Sequence, residues 1–145
     1  MTRRITFIAI ALLFTLSACG ALMRHNRVAR PAASEFGPGP RTSAHGLYTA
    51  TLHDAEALKP RKMYSLPVTI TGANGQPVGE ATIAIDGGMP QHGHGLPTRP
   101  RVTRSLGNGR YELGGVRFNM GGWWELKLTI TTPAGTDTVT FNLSL

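Results

Sequence analysis

Apolar residues recur at every second position along most of this chain, a period that a pleated strand can use and a helix cannot. Trp124, Leu126, Leu128 and Ile130 are the clearest case. Successive strand side chains point to opposite faces, so these four share one face, whereas a helix would scatter them around its circumference. The same beat runs through Leu66, Val68 and Ile70, through Ala81, Ile83 and Ile85, through Tyr111 and Leu113, and through Val139, Phe141 and Leu143. Candidate strands at residues 47–52 and 101–106 join them. Asn74-Gly75-Gln76-Pro77 carries turn chemistry and is expected to join residues 66–70 to residues 81–85 as a strand pair. Gly107-Asn108-Gly109 and Pro133-Ala134-Gly135 supply further turns, and the pair Gly114-Gly115 inside one run predicts a bulge or bend. About seven short strands without a helical pattern predict an all-β, immunoglobulin-like antiparallel β-sandwich over residues 47–145. A domain of that length buries somewhat more than the roughly 60% of unfolded-chain surface typical of a 60-residue domain, enough to fold without disulfides.

The residues ahead of that domain carry a different message. Arg3 and Arg4 precede an apolar run at residues 5–16, which is shorter than the roughly 20 residues a spanning helix needs. Leu16-Ser17-Ala18-Cys19 then resembles the lipobox of bacterial lipoproteins, which implies a signal peptide over residues 1–18 and a diacylglycerol on Cys19. Each buried methylene contributes about 0.8 kcal/mol, so several acyl chains would hold the domain at a membrane. Cys19 is the only cysteine, so lipidation leaves no thiol for a disulfide, a metal or a nucleophile. Residues 19–46, rich in Ala, Arg, Pro and Gly without apolar periodicity, are expected to form a flexible tether. The formal charge of +7 includes Arg3 and Arg4, so removal of the signal leaves 7 − 2 = +5. In an exported chain the anionic partner is expected to be lipid head groups rather than nucleic acid, and the charge serves equally as ordinary solubility charge. Gly20, where an aspartate would favour inner-membrane retention, points to the outer membrane facing the periplasm.

Residues 86–100 interrupt the strand rhythm with Met89-Pro90-Gln91-His92-Gly93-His94-Gly95. A stretch of this length without alternation is long for a compact β domain, and such loops are often functional. If the backbone there is extended, His92 and His94 project to one side, where both reach one ion, and Met89 adds a thioether. Imidazole with thioether suits copper and, through the methionine, Cu(I); calcium or magnesium would need carboxylates. Two solvated histidines on a glycine-rich loop are the plain alternative.

The Met-Pro-x-His-Gly-His-Gly element, then Gly109-x-Tyr111, then Val116-x-Phe118-x-Met120-x-Gly122-x-Trp124-Glu125-Leu126 together resemble the YtkA-like domain family. That family is related to FixH-type proteins and, more broadly, to CopC-like copper-binding sandwiches. The resemblance spans residues 48–143. It implies an extracytoplasmic immunoglobulin-like domain that handles copper, with Met89, His92, His94 and Met120 as candidate ligands. Met120 also continues the phase of Val116 and Phe118 and so reads equally as core. His53 and Met63 are reserve ligands, and His25 and His45 are expected to be solvated beside the tether.

Two functions compete. One is a lipid-anchored copper protein that sequesters the metal or passes it between donor and acceptor proteins. The other is an interaction module presenting Trp123, Arg99, Arg101 and Arg104 to a protein partner; packing of Trp123 against a neighbouring loop is its plain alternative. No catalytic residue is expected, since the chain lacks a nucleophile–base–orienter set and a zinc enzyme's third ligand. No small-molecule substrate is implied. Because neutral imidazole is the ligand, copper affinity is expected to fall as pH drops through the range near ~6.5.

Overall fold

Period-two alternation becomes two facing sheets. The computed structural model describes residues 28–145; the expected signal, Cys19 and the first residues of the tether lie outside the described residues. Nine strands follow in order: β1 (Arg41–Thr42), β2 (Tyr48–Leu52), β3 (Met63–Gly72), β4 (Thr82–Met89), β5 (His94–Gly95), β6 (Arg101–Gly107), β7 (Arg110–Arg117), β8 (Trp123–Thr132) and β9 (Gly135–Ser144). One sheet has the order β1-β2-β3-β7-β6 and the other β5-β4-β8-β9. All strand pairs are antiparallel. The fold is the expected all-β sandwich.

Its core is the set of alternating residues. Leu66, Val68 and Ile70 of β3 meet Trp124, Leu126, Leu128 and Ile130 of β8, with Val139 and Phe141 of β9, and all are essentially inaccessible to water. Burying each such side chain contributes roughly 1.5–3 kcal/mol. Asn108 and Gly109, at φ +50° and +70°, form the two-residue turn between β6 and β7, as Asn-Gly favours. The bulge falls where the glycine pair predicts it. Tyr64 faces Val116 and Ser65 faces Gly114, which leaves Gly115 as the extra residue.

Two expectations are corrected. Residues 66–70 and 81–85 do not pair: β3 lies between β2 and β7, and β4 between β5 and β8. The turn at Asn74 forms, with the Gly75 N–H donating to Gly72 O and the Gly72 N–H to Gln76 O, both at 2.9 Å. The chain then crosses to the other sheet. Alternation tells which face a strand buries, not which strand lies beside it, and here the two apolar faces look at each other across the core.

The described part of the expected tether is also ordered. Phe36 bridges to Asn142, Arg41–Thr42 pairs with β2, and the Leu52 N–H donates to Pro38 O at 2.8 Å. A Cβ on Gly39 would stand 2.9 Å from Ala50 O. The Pro and Gly content here serves close approach to β2 rather than flexibility. His45 is solvated as expected, its side chain 82% exposed, and it also holds Asp137: its ring Nδ1 lies 3.0 Å from Asp137 Oδ1, and its backbone N–H donates to Asp137 Oδ2 at 2.9 Å.

The connections β2–β3, β4–β6 and β7–β8 gather at one end of the sandwich; β3–β4, β6–β7 and β8–β9 close the other.

Candidate metal centre

β4 ends in Asp86-Gly87-Gly88-Met89 and turns back at once into β5. The carbonyl of Met89 accepts the N–H of His92 at 3.0 Å and of Gly93 at 2.9 Å. Gly93 has φ +68°, so residues 90–93 form a tight turn. This corrects the extended geometry expected around His92 and His94. The two histidines converge because a turn folds His92 back, not because a strand aligns them. Their ring centroids are 6.0 Å apart and inclined at 40°. An ion bound about 2 Å from one nitrogen of each ring would hold the centroids roughly 5–6.5 Å apart, according to the bond angle. The observed spacing lies in that range.

Met89 and His94 are direct cross-strand partners and therefore share the inner face of their sheet. Met89 is only 2% exposed, closed over by the β7–β8 connection: a Cβ on Gly122 would fall 2.7 Å from Met89 Cε. Gly122, at φ +127°, is therefore required twice, by backbone conformation and by space. The His94 ring packs edge-on to Trp124, with centroids 5.5 Å apart. Its Nδ1 lies 3.3 Å from Gly95 O, an acceptor only, so Nδ1–H donates and Nε2 stays available as a ligand atom.

Met120 is not core. β7 ends at Arg117, and Met120 projects from the following bend with 40% of its surface exposed. Its carbonyl accepts the Trp124 indole N–H at 3.0 Å. Trp124 thus touches His94 with its ring and holds the Met120 backbone with its nitrogen. Its phase with Leu126 and Leu128 marks it only as core; its place at the rim, directly after Gly121-Gly122, is the signal that it also borders a site. A shallow groove of about 310 Å³ runs beside the hairpin, lined in part by Asp86, Met89, His94 and Glu125. Glu125 stands opposite Gly88 and pairs with Lys127 at 2.8 Å. Nothing in the spacing of the sequence brings it to the hairpin; the β4–β8 register does.

The remaining candidates stay apart from the hairpin or are engaged elsewhere. Trp123, expected as a contact surface or as packed against a neighbouring loop, is packed: it is 2% exposed, so its part in a contact surface is corrected. Phe36 packs against it at 6.4 Å, and its indole N–H donates to Asn142 Oδ1 at 2.9 Å. The N-terminal segment expected to be a tether is what covers it. Arg104 is tied to Glu112 at 3.1 Å and, like Arg99 and Arg101 near the start of β6, is exposed. His53 Nε2 meets Thr69 Oγ1 at 2.8 Å, and Met63 is exposed opposite Arg117. Among the described residues no three His, Cys, Asp or Glu side chains group so as to hold a metal ion. Two imidazoles and a buried thioether, with a second methionine at the rim, are what this end offers.

A two-sheet antiparallel sandwich with a Met-x-x-His-x-His hairpin at one end is the class that fold and site define. The chain belongs to the YtkA-like family, whose sequence model matches residues 42–129. No curated protein matches it. Among solved structures it is similar to the ZirS C-terminal domain, at 15% identity and a TM-score of 0.42 over 97% of each chain, a likeness too loose to carry an argument.

Proposed function

We propose that this protein is an exported, lipid-anchored copper-binding protein that sequesters copper or passes it between donor and acceptor proteins, and that it is not an enzyme. The observation that carries the reading is the β4–β5 hairpin, which sets Met89 opposite His94 and brings the His92 ring to 6.0 Å from that of His94. Donor chemistry supports copper in particular. Among the described residues no third His, Cys, Asp or Glu side chain groups with the two histidines; the further donor the hairpin offers is the Met89 sulfur, and imidazole with thioether favours copper over zinc, calcium or magnesium. Met89 would hold the inner side of the ion and His94 Nε2 the rim. His92 and Met120, both exposed, are placed to exchange it with a partner. The periplasmic, outer-membrane location rests on the sequence around Cys19.

The interaction-module reading loses its aromatic anchor, since Trp123 is buried; Arg99, Arg101 and Arg104 remain exposed. The test is a titration with Cu(I) against a chromophoric chelator, beside the double variant His92→Ala/His94→Ala. One ion per chain, lost in the variant, supports copper handling. Equal competition by both proteins, or by neither with Cu(I) and Cu(II), overturns it.

A further inference from the structure

The end of the sandwich that bears the histidine hairpin also gathers exposed cations and exposed apolar side chains. Lys59, Arg61 and Lys62 lie exposed on the β2–β3 connection, Arg99 on the β4–β6 connection and Arg101 at the start of β6. Arg61 is held there by its backbone, whose N–H donates to Phe118 O. Asp54 and Glu56, earlier on the first of these connections, oppose them only in part. At the other end the His45 ring meets Asp137, and Arg104 is tied to Glu112 midway along its strand. The large apolar residues left exposed among the described residues are Val28, Met63, Leu106 and Met120. Met63 and Met120 stand at the hairpin end, and Val28 precedes Arg30, whose guanidinium lies 4.7 Å from the Phe36 ring against Trp123. Leu106 belongs to the opposite end.

We propose that this end docks on an anionic lipid surface, so that the candidate metal centre faces the membrane. Cations interleaved with short apolar side chains suit the head-group boundary, where the charges meet anionic lipid and the methionines enter the acyl margin. The path of the chain argues for lipid over an acidic protein. The described N-terminal segment packs on this same end through Phe36 against Trp123, the first residue of β8, and the seventeen residue steps from Cys19 to Phe36 span at most about 60 Å. They carry Arg24 and Arg27 besides. Because the approach to the membrane follows from the proposed export and lipidation, the inference rests on that part of the reading; it does not depend on copper. Its consequence is that any exchange of copper takes place at the lipid surface, with a partner held in or on the same membrane.

The test uses the full chain carrying Cys19→Ala, without copper, partitioned between buffer and vesicles of phosphatidylcholine alone or with phosphatidylglycerol. The leading apolar segment and the absence of a lipid anchor are common to every sample and cancel in the ratio of the two affinities. Each cation near such a surface contributes about fivefold. The expected result is a preference for anionic vesicles that shrinks at least tenfold in Arg61→Ala/Lys62→Ala/Arg99→Ala/Arg101→Ala, stays within about twofold in Arg110→Ala at the other end, and fades with salt. Persistence of the preference in the fourfold variant, equal loss in Arg110→Ala, or no preference in the parent chain overturns the docking. A failed copper titration leaves it standing, and its own failure leaves the copper reading standing.

Discussion

Asp137 shows how one buried side chain ties the N-terminal segment to the sandwich. Its carboxylate is almost fully covered, and burial by itself works to raise its pKa. Hydrogen bonds from Ser43, the His45 ring and the backbone N–H groups of Thr138 and His45 outweigh that and hold it well below the usual carboxylate range. A depressed folded-state pKa contributes stability that is present above the unfolded value, near ~3.9, and is lost as pH falls below it. Melting temperature against pH should therefore drop more steeply below pH ~4 in the parent protein than in Asp137→Asn; parallel curves would refute the role. At the site, Gly122→Ala brings a methyl group onto Met89 Cε in a left-handed backbone. It should cost about 1–3 kcal/mol in urea unfolding, and a neutral result would mean that the β7–β8 connection does not close over Met89 as described. Of the site residues, Met89, His92 and His94 were legible because spacing alone displayed them. Trp124 and Gly122 were not: a core tryptophan and a turn glycine look the same in sequence whether or not a ligand side chain lies beneath them.

The β4–β5 hairpin is the element on which the proposed function turns. Gly93 sits at φ +68°, where a β-branched residue is strained by roughly 1–2 kcal/mol. Gly93→Val should weaken copper binding about tenfold while leaving the melting temperature nearly unchanged, because the turn is an exposed tip whose closure brings the rings together. Undiminished affinity would show that the histidines act without the turn. Strands are legible in the sequence wherever one face is buried, as in β3, β8 and β9, since only there does period two appear. The two-residue strands β1 and β5 carry no period at all. β6 was found through its Asn-Gly turn more than through its side chains, nearly all of which are exposed. Partner choice between strands was beyond reach, since β3 and β4 display the same one-sided pattern and belong to different sheets.

Across the molecule, the N-terminal segment is a structural strap and not a spacer. It covers Trp123 through Phe36, adds β1 to the edge of β2 and lends Glu35 O to Asn142. A chain begun at residue 47 should lose more than about 2 kcal/mol relative to one begun at residue 28, the scale of exposing one large aromatic side chain, and should show red-shifted tryptophan emission. Equal stability of the two chains would return these residues to the status of a linker. The same strap packs Phe36 on Trp123 at the hairpin end, the pole that also carries the exposed cations and the candidate ligands. The most direct test of that pole's chemistry is X-ray absorption at the copper edge of the Cu(I)-loaded protein. The account predicts mixed imidazole nitrogen and thioether sulfur coordination, with the nitrogen contribution lost in His92→Ala/His94→Ala and sulfur diminished in Met89→Leu. A nitrogen and oxygen shell without sulfur, unchanged in these variants, would contradict it.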